Sequence, residues 1–193
     1  MEKLKRSDLY SLENYATVRN EFRAEVMAHK KNRQLQLGEN LRLLFEDRLT
    51  MQYQVQEMLR IEKIFEADGI EEELGAYNPL IPDGTNLKAV MMIEFSDIEE
   101  RKQALAKLIG IERNIWLQVE GFYKVYPVSN EDLDRETEEK TSSVHFMRFE
   151  FTPEMIAALK AGTSLLAGVE HPEYQYEMKV EENIRQSLLK DFD

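Results

Sequence analysis

Gln52, Gln56, Arg60 and Lys63 recur at close to helical spacing in "FEDRLTMQYQVQEMLRIEKIFE", residues 45–66, and form one polar stripe. Met51, Val55, Met58, Leu59, Ile61 and Phe65 fall on a broad apolar arc of the same helix, with Glu62 inside it. Glu57 lies on the remaining side, between Tyr53 and Ile61. A helix with apolar residues on more than one face is expected to be sandwiched, so its polar groups cannot all reach bulk water. The first helix has a matching oddity: Arg19 and Arg23, one turn apart, project into its apolar arc. An unpaired buried charge costs several kcal/mol, so Arg19 or Arg23 is expected to pair with Glu57 or Glu62 in a buried ion-pair network.

Two kinds of chemistry fit these residues. In one, they line a polar cavity. Arg60, Arg23 or Arg48 binds an anionic group, Gln52 and Gln56 orient a ligand, and Glu57 or Glu62 acts as a base, with His145 as a further ligand-binding candidate. In the other, the same side chains form an internal network that fixes how two helices dock. No catalytic residue can be assigned from the sequence. There is no P-loop, dinucleotide-binding glycine pattern, nucleophile elbow or HExxH. The three histidines, His29, His145 and His171, lack metal-ligand spacing, so no metal site is expected, and the sequence does not name a cofactor. His145 shares a strand face with Met147, Phe149 and Phe151 and reads as a core histidine or a ligand; His171, before Pro172, reads as an exposed turn residue. "HKKNR", with Lys30, Lys31 and Arg33, reads as a helix C-terminus stabilised by the dipole or as a basic contact patch.

The elements that must position these groups follow from caps, turns and periodicity. Ser7 can cap a helix running to about Arg33. "LQLGENLRLLFE" predicts a hairpin around Gly38-Glu39-Asn40. A helix over about Thr50 to Phe65 and a short one in "DGIEEELGAY" come next, then a turn-rich loop, "NPLIPDGTN". "LKAVMMIEF" predicts a strand, and Ser96 a cap for a helix ending near Gly110. "IWLQV" and "FYKVYPV" predict a hairpin turning at Glu120-Gly121. After an acidic connector, "SNEDLDRETEEK", read as a solvated loop or surface helix, the order repeats. There is a strand "SVHFMRFEF", a helix capped by Thr152 with Pro153 at its first position and Gly162 at its end, and a hairpin turning at His171-Pro172. A last helix is expected from about Glu181 to Phe192. "EFSD" at 94–97 parallels "EFTP" at 150–153, and "VEG" at 119–121 parallels "VEH" at 169–171.

The expectation is an α+β fold: an antiparallel or mixed sheet flanked by helices, with a helical N-terminal part. Residues 87–193 would hold a pseudo-duplicated β-α-β-β unit, residues 1–86 the helical part with its hairpin, and 1–193 a single domain. The chain has 193 residues, 42% of them apolar and 32% charged, and a net charge of −12. Eight Lys/Arg against five Asp/Glu make residues 1–33 net +3 and the remainder −15. An acidic body disfavours nucleic-acid and anionic-membrane binding. Cysteine is absent, which excludes disulfides, thiolate metal sites and cysteine-held clusters. With no apolar run near the roughly 18 residues of a membrane span and no apolar segment of a secretory signal, a cytoplasmic location is expected.

"VMAHKKNR", "LLFEDRLTMQYQVQEMLRIEKIFE", "AYNPLIPDGTN" and "EEKTSSVHF.RFE" (a dot standing for Met147) resemble a bacterial domain-of-unknown-function family, family 3501, across the whole chain. Members are often encoded beside rubrerythrins, the di-iron peroxide-scavenging proteins, and beside iron–sulfur oxidoreductases. The resemblance implies an accessory protein of a redox or oxidative-stress system whose partner is a rubrerythrin or an iron–sulfur oxidoreductase. It brings no assigned catalytic residues. The alternative is a small-molecule- or metal-dependent enzyme with its site around Gln56, Glu57 and Arg60.

Overall fold

The computed structural model describes residues 2–131, 137 and 139–193. The chain begins with a 3-10 turn, Arg6–Asp8, and then runs α1 (Leu12–Lys30), β1 (Gln34–Leu37), β2 (Leu41–Glu46), α2 (Arg48–Glu62), α3 (Ala67–Tyr77) and β3 (Asn86–Ile93). There follow α4 (Ile98–Lys107), β4 (Ile115–Val119), β5 (Val128–Ser129), β6 (Val144–Glu150), α5 (Pro153–Lys160), β7 (Leu165–His171), β8 (Tyr174–Lys179) and α6 (Glu182–Leu188). This is an α+β fold. Half of the acidic connector, residues 132–136 and 138, lies outside the described residues. No helix among those described is long and apolar enough to cross a membrane.

The strands form two antiparallel sheets, ordered β1-β2-β3-β6-β5 and β4-β7-β8. Both contribute to one core. Leu35, Phe45, Met91 and Phe149 come from the larger sheet, Leu117 and Val169 from the smaller, with Met155 and Leu159 of α5 beside them. The alternation of buried and partly buried residues along β3 and β6 is the period-2 pattern of a sheet with one core face. On the N-terminal side α2 buries Met51, Val55 and Leu59 against Leu4, Leu74 and Ile81. α1 buries Tyr15, Phe22 and Val26, with Leu49 and Tyr53 packed against them.

The strand pairings obey a register that the repeated joints anticipate. Val90 of β3 pairs with Phe146 of β6, and these two are as far apart in the chain as Glu94 and Glu150 of the "EFSD" and "EFTP" joints. Leu117 of β4 pairs with Ala167 of β7, the same step as from Val119 to Val169. Residues separated by the spacing of the joints therefore face each other near the middle of each antiparallel pair. The pairs are split over two sheets rather than gathered in one. The second half of the hairpin expected after β4 also departs from expectation. Among the described residues its one strand pairing with β4 is the Leu117–Val125 bridge, and Val128–Ser129 crosses to pair with β6.

Several boundaries move for physical reasons. α1 starts four residues later than expected, because Ser11, not Ser7, accepts the Asn14 amide as N-cap. It ends at Lys30, where turn bonds from the Asn32 and Arg33 amides lead the chain into β1. α2 begins at Arg48 because Asp47 and Thr50 form a reciprocal capping box. It stops at Glu62 because Lys63 adopts a left-handed conformation (φ 56°). Asp97 rather than Ser96 caps α4. Thr152 caps α5 with Pro153 at its first position, as the sequence indicates.

Candidate functional site

The polar stripe of α2 is occupied by the protein's own N-terminal segment. Gln56 is fully buried and clamps one residue: the Tyr10 amide donates to its Oε1 (2.6 Å), and its Nε2 donates to the Tyr10 carbonyl (3.3 Å). Gln52 donates to the Asp8 carbonyl (2.8 Å), and Arg48 pairs with the Asp8 carboxylate (2.7 Å). Asn78 holds Leu4 by the same two-bond clamp, at 2.8 and 2.9 Å. An amide side chain that satisfies both backbone groups of one residue replaces the ladder that an irregular segment lacks. These glutamines thus orient the chain's own backbone.

Glu57 is the hub of the α1–α2 contact. Arg19 binds it through two nitrogens, at 2.7 and 2.9 Å, the Tyr15 hydroxyl donates to it at 2.8 Å, and Arg60 adds bonds at 3.4 and 3.1 Å. The hydrogen bonds from Arg19, assisted by Arg60 and Tyr15, outweigh burial and hold the Glu57 carboxyl down at about 2. Burial and the neighbouring Glu57 push the Tyr15 hydroxyl up. Of the pairings expected for the network, Arg19–Glu57 forms. Arg23 and Glu62 do not belong to it: both are exposed, because α1 turns only Tyr15, Phe22 and Val26 inward and α2 ends at Glu62. The apolar arc is cut short for the same reason, leaving Ile61 and Phe65 at the surface with exposures of 56% and 71%.

His145 stands apart from this group. It is fully buried on β6, where Asn130 Nδ2 lies 3.0 Å from its Nδ1, and Thr141 Oγ1 (3.0 Å) and the Ser142 carbonyl (2.9 Å) lie by its Nε2. Nδ1 accepting from the amide and Nε2–H donating to the carbonyl is the tautomer consistent with these partners. His171, expected to be exposed, is buried, with Nε2 against the Ile109 carbonyl (3.1 Å) and Nδ1 accepting the Glu173 amide (3.2 Å). Among the described residues no three His, Asp or Glu side chains cluster so as to hold a metal ion.

A second polar centre lies where "HKKNR" meets the end of the chain. Arg33 is neither solvated nor part of a surface patch; it is 1% exposed. Its guanidinium donates to the carbonyls of Phe45 (3.2 Å), Glu46 (3.3 Å) and Ser187 (3.2 Å) and to Asp191 Oδ2 (2.5 Å), and it lies 3.3 Å from Asp47 Oδ2. His29 Nε2 is 2.5 Å from the same Asp47 oxygen. Burial pushes Asp47 up, but Arg33, the Thr50 amide and His29 together leave it below the ordinary range. Asp191 goes the other way. Burial pushes it up to about 6, with Arg33 opposing and Asp47 adding repulsion, and its Oδ1 is buried without a hydrogen-bond partner. The sequence gives no sign of the Arg33–Asp191 contact beyond the two residue types, which lie at opposite ends of the chain. The capping pattern at Asp47 and Thr50 is the one local signal of this centre.

A model of proteins of unknown function, DUF3501, matches residues 3–192. The chain belongs to the DUF3501 family. Among solved structures, the chain is similar to a protein of unknown function from Burkholderia pseudomallei K96243. The two are 49% identical, both chains are covered over 100% of their length, and the TM-score is 0.93. No curated protein matches the chain. The family residues quoted for the resemblance fall on both centres of this DUF3501 chain: His29, Arg33 and Asp47 on one, Gln52, Gln56, Glu57 and Arg60 on the other.

Proposed function

We propose that this DUF3501 protein is a non-catalytic accessory protein of a redox or oxidative-stress system, acting by association with a rubrerythrin-type di-iron protein or an iron–sulfur oxidoreductase. The observation that carries the non-catalytic half is the engagement of Glu57. A general base needs a free lone pair and a carboxyl of tuned basicity. Glu57 accepts from Arg19, Tyr15 and Arg60 and is held at about 2, a weak base whose charge is already neutralised. Gln52 and Gln56 are spent on backbone, so no ligand-orienting amide is left on that face. The partner half rests on the family resemblance and on the absence of cysteine, which makes the redox centre the partner's. The enzyme reading around Gln56, Glu57, Arg60 and His145 has less support, since His145 and α2 share none of the hydrogen bonds described above.

The test is direct binding. The purified chain and a purified rubrerythrin from the same genome, mixed at micromolar concentration, are expected to co-migrate in size-exclusion chromatography under reducing or oxidising conditions. Separate migration of this pair under both conditions, and of the corresponding pair with the neighbouring iron–sulfur oxidoreductase, would overturn the proposal.

A further inference from the structure

The smaller sheet ends on an open edge. The strands that end the two sheets are β1, β5, β4 and β8, and β8 is the longest of them at six residues. Its register against β7 runs unbroken from Tyr174 to Lys179, and the Val180 amide bonds the Leu165 carbonyl. That bond fixes where the other backbone groups point, because the direction alternates along an antiparallel strand. Tyr174, Tyr176 and Met178 turn their N–H and C=O toward β7. Gln175, Glu177 and Lys179 turn theirs away from it, and among the described residues no strand pairs with that side. Gln175, Tyr176, Glu177 and Lys179 are exposed.

Proteins blunt such an edge with a proline, a bulge or a run of charge. β8 has neither proline nor bulge, and its two charges, Glu177 and Lys179, are opposite in sign and two residues apart. Neither forms an ion pair among the described residues; Lys179 lies near Glu182, whose carboxylate Arg185 and Gln186 already engage. That spacing is the one at which a two-fold copy cancels both charges. With the axis at Met178, Glu177 of each chain lies opposite Lys179 of the other, as a hydrogen-bonded pair on either side of the axis. With the axis at Glu177, two carboxylates would face each other. With the axis at Tyr176, Glu177 would face Gln175, and Lys179 would face Glu173 in the turn that joins β7 to β8. At the Met178 axis the two methionines are direct neighbours on one face of the sheet. On that face Met178 lines a cleft of about 280 Å³ with Leu35 and Ile184, room for a second thioether.

We infer that two copies of the chain associate by antiparallel pairing of β8 with β8 about Met178, an isologous contact that joins two three-stranded sheets into one. Sedimentation velocity of the full chain at about 100 µM is expected to show a dimer. The Glu177 and Lys179 amides are expected to exchange hydrogen more slowly as the concentration rises from about 5 to about 200 µM, since only the paired edge protects them. Glu177→Lys sets lysine against lysine twice in each dimer and is expected to weaken association about tenfold with an unchanged far-UV circular dichroism spectrum; adding Lys179→Glu restores it. Because the chain has no cysteine, Met178→Cys is expected to form an interchain disulfide, its Cα atoms lying about 4.5 Å apart across the axis. Tyr176→Cys is expected to form none, its Cα atoms lying roughly 13 Å apart along the strands. The inference is overturned by a monomeric wild type, by a dimer that Glu177→Lys leaves intact, by Met178→Cys chains that do not cross-link, or by Tyr176→Cys chains that do. A monomeric wild type that loses a rubrerythrin on Glu177→Lys overturns it as well and assigns the edge to that partner.

Discussion

At the scale of single residues, the decisive fact is how few polar side chains near α2 are left over. Glu57 is 12% exposed at its side chain and receives Arg19, Tyr15 and Arg60. Glu57→Gln keeps the shape and removes the charge, which leaves the Arg19 fork without its counterion. The expected cost is about 1–3 kcal/mol, read as a lowered urea midpoint. Arg60→Ala, at an exposed i,i+3 pair, is expected to cost under about 1 kcal/mol. The acid limb separates this ion pair from generic packing. The Glu57 carboxyl is depressed from 4.5 to about 2, so its stabilisation is present above about 4.5 and is lost as pH falls through 2. Glu57→Gln is expected to flatten the stability profile between those values. If stability is unchanged at neutral pH and the acid limb persists, the ion pair does not tie α1 to α2.

At the scale of elements, legibility follows the range of the interaction. The β1–β2 hairpin, the α5 start at Thr152-Pro153 and the β7–β8 hairpin are set by residues within a few positions of one another, and the sequence shows them. The capture of Val128–Ser129 by β6 is not visible, because that choice depends on which edge is open after the two sheets have formed. The exposure of Ile61 and Phe65 is not visible either. The helix pattern continues past Glu62, and a left-handed lysine at residue 63 carries no sequence mark of the kind glycine would leave. Arg33–Asp191 joins residues too far apart for any local rule. Gly168 is a case where one element dictates a residue in another. It pairs with Trp116, whose indole ring lies where a Cβ would go, and the Tyr176 carbonyl is only 2.6 Å from that position. The Lys124 ammonium lies over the same indole, 4.2 Å from the ring centroid. Gly168→Ala is therefore expected to destabilise by about 1–3 kcal/mol and to shift the fluorescence of the one tryptophan. Wild-type melting and emission would contradict this packing of the smaller sheet.

At the scale of the whole molecule, two carboxyls in different parts of the fold, the partly buried Glu57 and the fully buried Asp191, tilt the pH profile in opposite directions. Below about 4.5 the Glu57 contribution falls away as the solution is acidified. Asp191 behaves in the reverse sense. Its carboxyl is raised from 3.8 to about 6, so the folded state binds the proton more tightly than the unfolded chain. The stability it contributes is complete below about 4 and is lost as pH rises through 6, to an upper bound of about 3 kcal/mol. Arg33 faces this group and favours its anion, while Asp47 opposes it and His29 assists. The body's net charge of −12 adds self-repulsion as the remaining carboxyls ionise. Stability is therefore expected to peak between about pH 4.5 and 6, on the acid side of neutrality, and to decline toward pH 8. Asp191→Asn removes the titrating group while keeping an acceptor for Arg33. Urea midpoints taken from pH 4 to 8 are expected to fall less steeply in this variant than in wild type, with the two curves closest below pH 5. Parallel curves across that range would mean that Arg33 keeps Asp191 ionised throughout, and that the C-terminal turn is fastened by a permanent ion pair.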